Sequence, residues 1–244
     1  MRLLGLSIGL IALVVTGIAP AVATELVTYR AEYQVERAGG KKSGSSVWTV
    51  SYDAERGVYS YESALSLKGI LRLAVPNPVR EHSDFKVENG RIRPLEFWYE
   101  DGSRKGEDNF HVKFDWDAGT AVVNADGRRN KLALQSGILD RGSMQVAVML
   151  DLANGAPGSY LLADEDSLKS YQYTRNGEAA IRTKVGTIET QSFIQQREGS
   201  SRRLLIWAAP EYNFLPVRME RQKNGETDIV FVLQSIEMSA AAAN

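Results

Sequence analysis

Apolar and polar positions alternate with a period of two through most of the chain. Val27, Tyr29, Ala31, Tyr33 and Val35 alternate with Thr28, Arg30, Glu32, Gln34 and Glu36, the signature of a strand with one face buried and one in water. Trp48, Val50 and Tyr52, then Tyr59 and Tyr61, resume the pattern after a glycine-rich loop expected over 39–44 and a break at Glu55-Arg56-Gly57. Leu95, Phe97 and Tyr99 oppose Glu96, Trp98 and Glu100. Beyond the polar 101–109 segment, Phe110, Val112, Phe114 and Trp116 oppose His111, Lys113, Asp115 and Asp117. This predicts a long hairpin with Val112 and Phe114 inside and Lys113 and Asp115 wet. Trp98, on the polar register, is either an outer-face cross-strand partner or part of a second apolar surface.

Two segments break the period. Between Leu139 and Leu152, Met144, Val148 and Leu152 recur every four residues, Asp140 is placed to cap, and Asn154-Gly155 ends the run, so one amphipathic helix is predicted. A second, shorter helix is predicted over 66–75, stopped by Pro76 and Pro78. Helical spacing spreads its Ile70, Leu71, Leu73 and Val75 over more than half the circumference, too far for one sheet to cover them all.

From Tyr171 onward strands return. Asn176-Gly177 and Asn224-Gly225 predict tight hairpin turns, and Gly186 a bulge or strand break. Leu204 to Trp207 is nearly unbroken in its apolarity, which implies cover on both faces. Pro210 and Pro216 cannot donate to a ladder, so the chain should leave one strand at Ala208-Ala209 and enter another at Val217, with Tyr212-Asn213-Phe214 folded over the sheet edge. The sum is roughly ten strands and one or two helices. The fold class is mainly β: a large curved antiparallel sheet or half-open β-barrel with one or two short covering helices.

At the start, Arg2, the apolar run from Leu3 to Ile18 and Ala21-Val22-Ala23 read as a signal peptide over 1–23, cleaved near Ala23. No later run is long enough to span a bilayer as a helix. The expectation is a periplasmic protein with one β-rich domain over 24–238 and a disordered tail over 239–244. There are no cysteines, hence no acyl anchor and no disulfide; 29 basic against 30 acidic residues give no general attraction to nucleic acid.

The tyrosines of the first strand, Arg93-Pro94-Leu95, Phe114-Asp115-Trp116, Leu139-Asp140 and Trp207-Ala208-Ala209-Pro210 with Leu215-Pro216-Val217-Arg218 resemble the bacterial envelope family catalogued as domain of unknown function 3108. The likeness spans nearly all of the chain after the leader. It implies an open or half-closed antiparallel barrel, a shape that holds acyl chains in lipoprotein carriers, and it supplies no catalytic residues to carry over.

Catalytic chemistry finds little purchase. Ser143, in Arg141-Gly142-Ser143-Met144, lacks the second glycine of a nucleophile elbow and reads as a cap or first-turn residue. His82 with Glu81 and Asp84 would point to opposite faces of a strand, and Asp164-Glu165-Asp166 lacks the spacing of a calcium loop. Neither a dinucleotide fingerprint nor a phosphate loop is present. No metal or cofactor is therefore expected.

The reading is a non-enzymatic periplasmic protein that binds or carries a lipid or other apolar ligand, with Ile70, Leu71, Leu73, Val75, Met144 and Val148 as its apolar lid or cavity. The alternative is a structural or protein-interaction module of the envelope with a filled core, and a hydrolase stands third. A cleft lined by both helices and the sheet favours the carrier, a filled core the module.

Overall fold

The computed structural model describes residues 26–37, 39–155 and 158–240. The leader expected over 1–23 lies outside them, as do residues 241–244 of the tail expected over 239–244, whose Ser239 and Ala240 instead pair with Thr28 and Val27 at the end of the last strand. The strands run β1 (Val27–Arg37), β2 (Lys41–Asp53), β3 (Val58–Leu67), β4 (Val79–Glu88), β5 (Arg91–Glu100), β6 (Phe110–Asp115), β7 (Thr120–Ala125) and β8 (Arg128–Ala133). After these come β9 (Ile138–Leu139), β10 (Ser159–Ala163), β11 (Leu168–Thr183), β12 (Gly186–Arg197), β13 (Arg202–Ala209), β14 (Leu215–Lys223) and β15 (Glu226–Ala240). Helix α1 (Leu71–Ala74) follows β3, and α2 (Arg141–Ala153) follows β9.

All fifteen strands form one curled sheet in the order β8 to β1, then β15 to β9. Each strand pairs antiparallel with its sequence neighbour, except that β1 pairs with β15 and that β9 and β10 run parallel with α2 between them. The terminal strands β8 and β9 do not pair with each other. Instead, Ile138 of β9 and Ala163 beside it enter an apolar cluster with Phe97, Phe110, Val112 and Phe114. The curl therefore closes by side-chain packing against β5 and β6. Arg128, Arg129 and Lys131 keep the open β8 edge charged and wet, which discourages pairing with another chain.

The alternation places the core as expected. Tyr29, Tyr33, Val112 and Phe114 are buried, while Lys113 and Asp115 are exposed. Helix α2 packs on the inner face against β3, β4, β5 and β10. Gly142, Met144, Val146, Val148, Met149 and Leu152 are all buried, so the helix is covered on most of its circumference and fills the curl. Its first turn sits close to the sheet: a Cβ on Gly142 would lie 2.7 Å from the Ser83 Cβ and 2.7 Å from the Tyr61 ring, which only glycine tolerates without displacement.

Several local expectations are corrected. Strands number fifteen among the described residues, because β4, β7, β8, β9 and β10 form where the alternation marked no strand. The loop over 39–44 shrinks to a turn at Gly39-Gly40, and Lys41 already belongs to β2. The helix over 66–75 reduces to α1, since Ser66 and Leu67 complete β3 opposite Ser45 and Gly44. Leu95 lies in a bulge, so Pro94 faces inward in its place, while Phe97 is buried as expected. Asn176-Gly177 is a bulge within β11, and the hairpin turns at Lys184-Val185 before Gly186. Asn224-Gly225 does form the expected turn, both residues with positive φ. Strand β14 starts at Leu215, ahead of Val217, and Ala209 still pairs with it. Tyr212 and Phe214, around a short 3₁₀ turn, pack on the main core, because β13 and β14 are interior strands with no edge to cover.

Candidate functional site

Strand direction alternates, so the turns at 68–78, 101–109, 164–167 and 198–201 share one rim of the curl. At this rim a cleft of about 340 Å³ opens between α2 and strands β11 to β14. Six cations line it, Arg141, Lys169, Arg197, Arg202, Arg203 and Arg221, against one lining carboxylate, Asp164. Tyr171, Gln195 and Leu204 supply its floor.

Three of these cations, Arg197, Arg202 and Arg221, arrive there by register. In β12, Phe193, Gln195 and Arg197 share the inner face; in β13, Ile206, Leu204 and Arg202 do so; in β14, Met219 and Arg221 do so. Apolar side chains occupy the depth of each strand and an arginine its rim end. Arg141 comes from the first turn of α2, with its guanidinium 4.9 Å from the centre of the Phe110 ring and 5.1 Å from that of Tyr99. Its Nη2 donates to Asp164 Oδ1 at 2.7 Å, and Nη1 lies 3.9 Å from Glu81 Oε1.

Lys169 Nζ bridges Asp164 at 2.9 Å and Asp166 at 3.2 Å. Burial alone would lift the Asp164 carboxyl, but Arg141 and Lys169 more than offset it and hold the group below the ordinary carboxylate range. Glu81 goes the other way, raised by burial against the weaker pull of Arg141. Arg221 is paired with Asp228 at 2.7 Å, and Arg203 donates to Gln222 at 2.7 Å. Arg197 and Arg202 form no ion pair among the described residues. The cleft thus presents uncompensated positive charge on a rigid sheet, suited to a carboxylate or phosphate.

The expected serine and histidine candidates sit elsewhere. Ser143 completes a capping box: its N–H donates to Asp140 Oδ1 at 2.8 Å, and its hydroxyl accepts from the Asp140 N–H at 2.9 Å. Asp140 is buried and also accepts from the Ser83 hydroxyl at 2.9 Å; burial pushes its carboxyl up to about 7 in spite of these bonds. His82 and His111 lie on the outer face, flanking Trp98 at 5.0 and 5.1 Å between ring centres. Trp98 is therefore an outer cross-strand partner. Glu62 and Asp84 hold His82, and Glu96 holds His111.

A second groove of about 440 Å³ crosses this outer face beside Trp98 and His82. Its lining sets Arg80 against Glu62, Glu81 and Glu100, an excess of carboxylates, and His82 and His111 flank the indole, so it offers neither an anion site nor a free stacking surface.

The six apolar site residues divide between two environments. Met144 and Val148 are core, 6% and 4% exposed, whereas Ile70 and Leu73 stand 79% and 74% exposed on the rim. Leu71 and Val75 are half-buried between these extremes. None of the six lines either cleft. The cationic cleft was missed because its members are scattered from 141 to 221 in a chain of nearly neutral total charge. The available signal was an arginine on the buried register at three strand ends.

A curled, barrel-like antiparallel sheet filled by one helix and bearing a cationic rim cleft defines the class of protein. The chain belongs to the family described as protein of unknown function DUF3108, whose model matches residues 28–231. No curated protein matches it. Among solved structures it is similar to the β-barrel-like protein of domain of unknown function DUF1849 from Brucella abortus, with TM-score 0.52 and 12% identity over 88% of this chain and 99% of that one. A candidate lipoprotein from Parabacteroides distasonis ATCC 8503 aligns with TM-score 0.38 and 11% identity, over 88% of this chain and 96% of the other. Among the described residues no helix is long and apolar enough to cross a membrane.

Proposed function

We propose that the protein is a non-enzymatic binding protein of the cell envelope, exported to the periplasm by the 1–23 leader, that takes the anionic group of a lipid or other amphiphile into the rim cleft. The observation that carries this reading is that Arg197 and Arg202, without an ion pair among the described residues, face a cleft of about 340 Å³ whose lining holds four further cations. That volume suits a headgroup or small anion, near the lower end of ligand sites at about 300 Å³. Tyr171 and Leu204 add apolar contact beside the charge. A non-enzymatic role is supported by the use of Ser143 as a helix cap and by the outward placement of both histidines.

The test compares oleate and lysophosphatidate, each below its micelle concentration, with uncharged monoolein. The anionic probes should bind, monoolein should not, and Arg197→Glu with Arg202→Glu should weaken binding by about tenfold or more. Equal binding of all three probes, or none, would reject the reading. The interaction-module alternative draws on the filled interior, where Tyr33, Phe85, Phe97, Phe193, Leu215 and Leu233 are all fully buried; under it the anionic probes find no site.

A further inference from the structure

We infer that the rim segment 68–75 is a docking element for an anionic phospholipid surface. Ile70 and Leu73 are by far the most exposed large apolar side chains among the described residues, at 79% and 74%. They stand three positions apart on a single helical turn, so they share a side. Gly69, with φ 62°, lifts the chain out of β3 immediately before them.

The segment is held from behind. Val75 and Leu71 are half-buried, and a Cβ on Gly102 would lie 2.9 Å from the Val75 Cγ1. The Asn77 N–H donates to the Gly102 carbonyl at 3.1 Å. A firmly seated base with an apolar tip is suited to shallow insertion.

Charge selects the occupant. No acidic residue occurs between Glu62 and Glu81, while Lys68 and Arg72 are exposed and form no ion pair among the described residues. Large apolar tips framed by unpaired cations match a bilayer interface with anionic headgroups. A protein partner fits poorly: a stable interface buries about 800 Å² on each side, far more than two side chains on a convex turn provide. The tip and the cationic cleft share one rim, so a docked molecule turns its cleft toward the membrane. Docking itself does not depend on anything binding in the cleft.

The test is co-sedimentation of the leader-free protein with vesicles of phosphatidylcholine containing phosphatidylglycerol, and with pure phosphatidylcholine vesicles. The protein should pellet with the former and not the latter, and added salt should release it. Ile70→Asp with Leu73→Asp should cut the partition coefficient about tenfold or more with no loss of thermal stability, since neither side chain is buried. Lys68→Glu with Arg72→Glu should do the same, and Leu73→Trp should bind and shift its emission to the blue.

Tyr171→Ala with Leu204→Ala, which removes the apolar contacts of the cleft and leaves its charge unchanged, should weaken probe binding there and leave sedimentation within about twofold of the parent, which separates failure here from failure of the cleft as a ligand site. Three results would each overturn the inference: no sedimentation of the parent protein, sedimentation unaffected by the Asp pair, or a lipid-independent oligomer that the Asp pair dissolves.

Discussion

The Ser83 hydroxyl donates to Asp140 Oδ2 at 2.9 Å, across 57 residues of sequence. The bond joins the inner face of β4 to the cap of α2, so one buried carboxylate fixes both the start of the helix and its seat on the sheet. Burial raises that carboxyl to about 7, whereas in an unfolded chain it titrates near ~3.9. Between these values the folded protein holds a proton that the unfolded chain has released, so Asp140 contributes stability at low pH. That contribution declines as pH rises from about 4 to 7 and is gone above it. Asp140→Asn keeps an acceptor for the cap and removes the titration. Thermal melts at pH 5 and pH 8 should show the variant gaining on the parent as pH rises, and a constant difference between the two would refute the assignment. Asp140→Ala loses the cap as well and should cost on the order of 1–2 kcal/mol.

Gly142→Ala should destabilise the fold by about 1–3 kcal/mol although alanine is the better helix former. The added methyl meets Ser83 and Tyr61 at 2.7 Å, and the helix must back away from the sheet. Pairing it with Ser83→Gly opens space on one side. Because Ser83→Gly also gives up the bond to Asp140, the double variant should lose less in urea unfolding than the sum of the two single changes, and strict additivity would place the clash elsewhere.

Two neighbouring tyrosines of β1 should respond in opposite ways. Tyr33 donates to the Pro216 carbonyl at 2.9 Å, while the buried Tyr29 hydroxyl has no hydrogen-bond partner among the described residues. Tyr33→Phe should cost about 1 kcal/mol, and Tyr29→Phe should be neutral or stabilising, because it removes a desolvated hydroxyl that gains nothing in return. Equal losses in chemical denaturation would contradict this.

The Arg141 and Asp164 pair should govern acid stability at the rim. Asp164 titrates below its ordinary range in the folded protein, so its contribution is full above the unfolded carboxylate pKa and is lost as pH falls through the folded value. Asp164→Asn leaves Arg141 over Phe110 and Tyr99 with only the longer contact to Glu81. It should cost about 3 kcal/mol at neutral pH and progressively less toward pH 3, read from unfolding midpoints across that range.

Where the argument is local, the sequence is a good guide. The alternation of β1 and β6 fixes which tyrosines and phenylalanines face inward, and Asp140 with Ser143 marks the start of α2 through short-range cap chemistry. The failures arise where a distant partner decides. Asn-Gly at 176–177 and at 224–225 are identical dipeptides, yet in the first only Gly177 has positive φ and the ladder to β12 continues past it, while in the second both residues turn. Ser66 and Leu67 have the apolar density of a helix, but β2 offers them a ladder and they take it. The rim cations remain invisible because they come from α2 and four different strands; only the pairing of β11 through β14 gathers them.

The pairing of β1 with β15 has a consequence during synthesis. Every other antiparallel hairpin in the sheet can close as soon as its second strand emerges, but one long side of β1 stays unpaired until β15 is made. Through that interval the nascent protein carries a bare edge whose inner residues, Tyr29, Ala31, Tyr33 and Val35, are strongly apolar. Such an edge invites pairing with other chains. Shielding by a holdase, or translocation that keeps β1 extended until β15 arrives, answers a hazard that the finished molecule no longer displays.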